Sequence, residues 1–224
     1  MTIERPGRPG DLPSAELLWA RWALVAVLEA STEQEGRGVH RTGHWIDDEG
    51  LHLDDCGCTW WTFARMGEGR FVLFGEDESS EVKWHEPAVD MLAGAPDWLP
   101  YGELRDRLRG YELGCVYWYE NGSWARAPYP DGLGDDGLDC GMSRFTDRRE
   151  VLDLLADDCD RGPVPDADAE TLLRAAEEYR LAPRSLEELV AAGDPGEWDL
   201  PAMRRALALA GLTGEDAPVR AALS

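Results

Sequence analysis

Trp60 and Trp61 stand side by side in residues 59–66, a segment whose Thr, Trp and Phe content predicts a β-strand. Neighbours on a strand point to opposite faces of the sheet, so one apolar core cannot hold both indoles. The same constraint acts on Tyr117, Trp118 and Tyr119, where Trp118 opposes its two neighbours. A sheet built from these strands has to be covered on both sides, by further layers of its own chain or by a partner. The pressure is unusually high because ten of the twenty aromatic residues are tryptophan, at 19, 22, 45, 60, 61, 84, 98, 118, 124 and 198.

The remaining pattern supplies elements for such layers. Residues 14–29 place Leu17, Leu18, Trp22, Val25 and Leu28 at helical spacing behind Asp11 and Pro13, which predicts a long, mostly buried helix. Three hairpins follow: 44–46 with 51–53, 59–66 with 70–75 across Gly67-Glu68-Gly69, and 115–119 with 123–127 across Asn121-Gly122. Residues 86–110 read as helical, as do 147–158, 168–180, 185–192 and 200–212, with a capping box Ser185-x-x-Glu188 opening the third of these last four. The expected class is α+β: an N-terminal helix, a central antiparallel Trp-rich sheet of hairpins, and a helical C-terminal region. A boundary near 161–165, where Gly162, Pro163 and Pro165 interrupt the chain, divides it into an α+β domain (1–160) and a helical extension (161–224) packed on it.

Charge narrows the partners. Asp and Glu number 45 against 22 Lys and Arg, a net charge of −23, and each third of the chain is net negative. Nucleic acids and anionic membranes need clustered cations, so neither is an expected partner. No run of 18 apolar residues and no apolar leader occurs, and the five cysteines form no paired framework. A soluble cytoplasmic protein with reduced thiols is the expectation. Oligomeric state stays open.

Few catalytic signatures are present. The single lysine, Lys83, follows Val82 and cannot complete a P-loop, and there is no Gly-x-Ser-x-Gly elbow. Gly132-x-Gly134-x-x-Gly137 has the dinucleotide spacing, but no apolar strand precedes it, and Asp135 and Asp136 would repel a pyrophosphate. Two groups offer metal ligands. His40, His44, His52, Cys56 and Cys58 supply imidazole and thiolate within nineteen residues, at a spacing that matches no zinc motif. Asp131, Asp135, Asp136 and Asp139 sit in a Gly-rich loop suited to hard cations, yet fail the EF-hand order. Solvated loops explain both groups, and no metal or other cofactor is expected.

An acidic, noncatalytic interaction protein fits these features first. Trp60 or Trp61, Trp118 and Trp124 would anchor a basic partner, ringed by Asp47, Asp48 and Glu49, as in proteins that neutralise a basic toxin. A metal-dependent hydrolase using the His/Cys or Asp/Gly group is the alternative, and a small-ligand or carbohydrate binder on the Trp-rich sheet is a third. Arg105, Arg107 and Arg109 form the one compact basic run, interleaved with Asp106. No retention of single-stranded or duplex DNA is therefore expected in a gel-shift assay at physiological salt. Salt-dependent retention that disappears when these three arginines are replaced would contradict the charge argument.

Overall fold

Ser14 begins the first helix: its Oγ accepts the Leu17 N–H at 3.3 Å, and α1 runs over Ala15–Leu28. A computed structural model describes residues 2–158, 163–193 and 198–214. Within α1 all residues except Glu16 and Leu17 are buried, so the helix has no solvent face and is enclosed from two sides.

One side is the sheet. β1 (Gly43–Ile46), β2 (Leu51–Asp54), β3 (Thr59–Arg65), β4 (Phe71–Asp77), β5 (Cys115–Glu120) and β6 (Ser123–Arg126) pair antiparallel in simple chain order. The three hairpins are thus joined edge to edge into one sheet. Asn121 and Gly122 both take positive φ (52° and 80°), the left-handed pair that a two-residue hairpin turn requires. Register settles where the aromatics go. Leu51, Phe63, Leu73 and Tyr117 lie in one cross-strand row, and Thr62, Phe74 and Val116 in the adjacent row on the opposite face.

The first face holds Trp61, Phe63, Phe71, Leu73, Tyr117, Tyr119 and Trp124 against α1. Trp22 lies between two rings, 6.1 Å from Phe63 and 5.2 Å from Phe145, nearly parallel to both. The second face packs Ala64, Val72, Phe74, Val116 and Trp118 under the connection between β4 and β5. That connection carries a short turn, Val82–Trp84, and α3 (Tyr101–Arg109), whose Leu104 is fully buried there. Both faces are therefore covered by the chain itself. The helix expected over 86–110 is confined to α3, because Pro87, Pro96 and Pro100 lack the amide donors a longer helix needs.

The other side of α1 meets helices from later in the chain. After a four-residue α2 (Thr32–Glu35), the later helices are α4 (Leu138–Thr146), α5 (Arg148–Asp153), which widens into a π-turn at Leu154–Asp158, α6 (Asp166–Glu177), α7 (Pro183–Ala192) and α8 (Leu200–Ala210), of which α4, α6 and α8 lie against α1, α5 packs with α4 and α6, and α7 with α8. The Trp19 indole N–H donates to the Ala210 carbonyl at 2.9 Å, and the Tyr179 hydroxyl to the Glu16 carbonyl at 2.8 Å. Arg21, buried in α1, reaches the Phe145 and Thr146 carbonyls at the end of α4 and pairs with Glu177 at 2.9 Å. Residues 159–162, which include Cys159 and the first two residues of the expected domain boundary, lie outside the described residues. The capping box at Ser185 does not form. Pro183 starts α7 one turn earlier, Ser185 donates its amide to the Ala182 carbonyl, and Glu188 pairs with Arg184 instead.

α4 starts inside the segment expected to be a loop, and it approaches the sheet closely through Gly141. A Cβ there would lie 2.2 Å from the Trp61 Nε1. Gly141→Ala is accordingly expected to destabilise the protein by about 3 kcal/mol, the upper part of the overpacking range. For a chain of this size that is a fall of roughly 6–12 °C in Tm, read by thermal denaturation. An unchanged Tm would mean that the helix does not sit on Trp61.

Candidate functional site

The expected aromatic anchors belong to the interior. Trp61 is fully buried on the α1 face, Trp118 is buried on the opposite face, and Trp124 is buried with its indole N–H donating to the Pro13 carbonyl at 2.6 Å. Trp60 is half-buried, edge-on to Phe74 at 6.1 Å, with the Arg107 guanidinium 4.7 Å above its ring. The surplus of opposite-facing aromatics is absorbed by two cores, which corrects the expectation of an exposed Trp surface at these positions.

The His/Cys group is divided by strand geometry. His44 pairs across from Leu53 and Trp45 across from His52, so the two imidazoles point to opposite faces. His40 and both loop cysteines, Cys56 and Cys58, are exposed. The negative charge of Glu78 pushes the Cys58 thiol up, away from the thiolate form. Asp131 is also exposed, and the other loop aspartates already have partners. Buried Asp136 accepts the Tyr117 and Tyr129 hydroxyls at 2.8 and 3.1 Å and the Gly7 amide at 2.9 Å. Burial, with the Asp136 charge added, holds both tyrosines well above the ordinary phenol range. Arg5 pairs with Asp135 at 3.1 Å and Asp139 at 2.7 Å. The loop ties down the N-terminal segment, a long-range pairing that no local motif announces.

Among the described residues, Asp47, Glu49 and His52 bring three ligand atoms within 4.8 Å of one another. The His52 Nε2 bonds Asp47 at 2.9 Å, its Nδ1 meets the Thr62 hydroxyl at 3.2 Å, and the Trp45 ring stacks on it at 5.1 Å. Burial opposes the Asp47 charge, but the hydrogen bond and charge of His52, with the Glu49 amide and Trp45 indole, lower its carboxyl overall. Both nitrogens of His52 are therefore partnered, one within this turn and one on β3. Asp48 projects beside it, exposed.

Two other aromatic side chains stand in solvent. Trp84 is 67% and Tyr111 62% exposed, and their rings stack at 5.8 Å with 12° between planes. Trp84 closes the short turn, whose Val82 is buried. Tyr111 follows α3 in a left-handed conformation (φ 58°) that turns the chain toward buried Leu113. Lys83 lies 5.3 Å from the Trp84 ring and pairs with Glu76. Beside the stack runs a groove of about 290 Å³, with Val82, Val89, Met91, Leu108 and Leu113 among its apolar lining and the cations Lys83 and Arg109 also lining it. Glu81, Glu86 and Glu112 are exposed nearby in the chain. Sequence pattern offers little notice of this site, because Trp84 sits in Glu-Val-Lys-Trp-His-Glu without strand or helix periodicity.

Comparison with protein-family models, curated proteins and solved structures finds no match to this chain.

Burial predicts opposite behaviour for two tryptophans. Trp61→Ala is expected to cost about 3–5 kcal/mol, and Trp84→Ala within about 0.5 kcal/mol of nothing. Urea denaturation of the two variants measures both. Equal losses would contradict the assignment of one to the core and the other to the surface.

Proposed function

We propose that this chain is an acidic, noncatalytic binding protein that takes up a segment of a basic protein on the Trp84–Tyr111 pair and its groove. The observation that carries this reading is the exposed stack itself: the other large aromatics of the described residues are buried or half-buried, whereas these two are held open. Aromatic faces attract guanidinium and ammonium groups by about 0.5–2 kcal/mol, more as water is excluded. The adjoining groove, apolar apart from Lys83 and Arg109, accepts an aliphatic side chain of the same segment, giving the anchor-in-pocket arrangement typical of binding hot spots. A net charge of −23, to which Asp47, Asp48 and Glu49 contribute, raises the encounter rate with a basic partner more than it raises final affinity. Neutralising such a partner, as an immunity protein does, requires no chemistry beyond this surface.

A fluorescein-labelled peptide of alternating Arg and Leu, titrated in an anisotropy assay, tests the reading. Binding is expected to weaken at least tenfold in the Trp84→Ala/Tyr111→Ala double variant and to be undetectable for the peptide with Glu in place of Arg. Equal affinity of the double variant and the parent protein would refute it.

A further inference from the structure

Trp45, His52 and Thr62 stand side by side in one cross-strand row of β1, β2 and β3, at the β1 edge of the sheet. Residues directly opposite one another share a face, so the imidazole lies between an indole and a hydroxyl. The Trp45 ring stacks on it at 5.1 Å with 17° between planes, and the Thr62 Oγ1 meets its Nδ1 at 3.2 Å. Both contacts come from strands, so the ring is oriented by the sheet and not by the turn. Its Nε2 faces the β1–β2 turn, where the Asp47 carboxylate accepts at 2.9 Å. Asp47 is 46% exposed at its side chain, so this end of the pair reaches solvent. Exposed Glu49 completes a set of three ligand atoms, one imidazole nitrogen and two carboxylate oxygens, all within 4.8 Å of one another.

The separations suit an ion. Zinc-class ions hold nitrogen and oxygen donors at about 2.0–2.2 Å, which leaves the donors roughly 3–4 Å apart. Rotation of the solvent-exposed Glu49 side chain supplies the remaining adjustment. Asp47 has capacity to spare: an ionised carboxylate offers about four lone-pair sites, and it holds the Glu49 amide at 2.9 Å, the Trp45 indole at 3.3 Å and His52. The bond from His52 is the one an ion replaces. With the ion on Nε2, the ring proton sits on Nδ1, where the Thr62 hydroxyl accepts it, the outer support a metal-bound imidazole needs. We propose that Asp47, Glu49 and His52 form a site for one divalent cation of the zinc class, with water in the remaining positions. Imidazole together with carboxylate suits zinc, cobalt and nickel better than calcium or magnesium, which take all-oxygen sets. The site uses no cysteine and is independent of the Trp84–Tyr111 surface.

Calorimetric titration of chelator-treated, reduced protein with Zn²⁺ measures stoichiometry and affinity, and Co²⁺, a quencher of tryptophan fluorescence, reports position. One equivalent of Zn²⁺ is expected to bind. Glu49→Gln, at an exposed position, is expected to weaken it at least tenfold and His52→Gln to remove it, whereas the Cys56→Ser/Cys58→Ser double variant binds as the parent does. Co²⁺ quenching is expected to shrink in Trp45→Phe, whose lost indole lies against the ligand ring. Absence of stoichiometric binding, indifference to Glu49→Gln, loss in the cysteine double variant, or quenching unchanged in Trp45→Phe would each overturn the proposal. Should His52→Gln fail to fold, the Glu49→Gln result decides.

Discussion

Twelve of the fourteen residues of α1 are buried, so this helix must be enclosed by two layers at once, and the rest of the chain is arranged to do it. The aromatic face of the sheet supplies one layer. The other comes from α4, α6 and α8, helices up to about 190 residues away in sequence, bound back through Arg21, Tyr179 and the Trp19–Ala210 hydrogen bond. Each fully buried Leu, Val or Phe side chain contributes on the order of 1.5–3 kcal/mol, which makes a core of this extent sufficient without disulfide support. The sheet's second face then needs a cover of its own. The β4–β5 connection provides it, and in crossing that face it leaves Trp84 and Tyr111 on the outside.

Charge inside this apolar frame is confined to a few partnered groups. Arg21 meets two helix-end carbonyls and Glu177, Asp136 collects two phenols and a backbone amide, and Glu29 takes two bonds from His44. Removing one partner from such a pair leaves the other charge uncompensated, which costs more than the pair contributes.

Much of the architecture was legible from residue order. The alternation Trp60/Trp61 and Tyr117/Trp118/Tyr119 required two covered faces, Asn121-Gly122 marked its hairpin, and the spacing from Leu17 to Leu28 marked α1. What periodicity could not show was who covers what. It left open a partner on the second face because the covering segment, 78–113, is mostly irregular and carries three prolines. The candidate site was illegible for the same reason: exposure of Trp84 depends on where that irregular segment lies, not on its local pattern. Closeness in sequence did not decide which metal-ligand residues meet either, since strand alternation places His44 and His52 on opposite faces of one sheet.

Among the described residues most tryptophans are buried or half-buried while the Trp84–Tyr111 stack is exposed, and this stack is the recognition surface we propose. Hydroxyl-radical footprinting read by mass spectrometry measures this residue by residue, in the free protein and with the Arg/Leu peptide bound. Trp84 and Tyr111 should be modified fastest and become protected on binding, while Trp22, Trp61 and Trp118 stay nearly unmodified. Fast modification of Trp61 or Trp118, or protection that bypasses Trp84 and Tyr111, would contradict it.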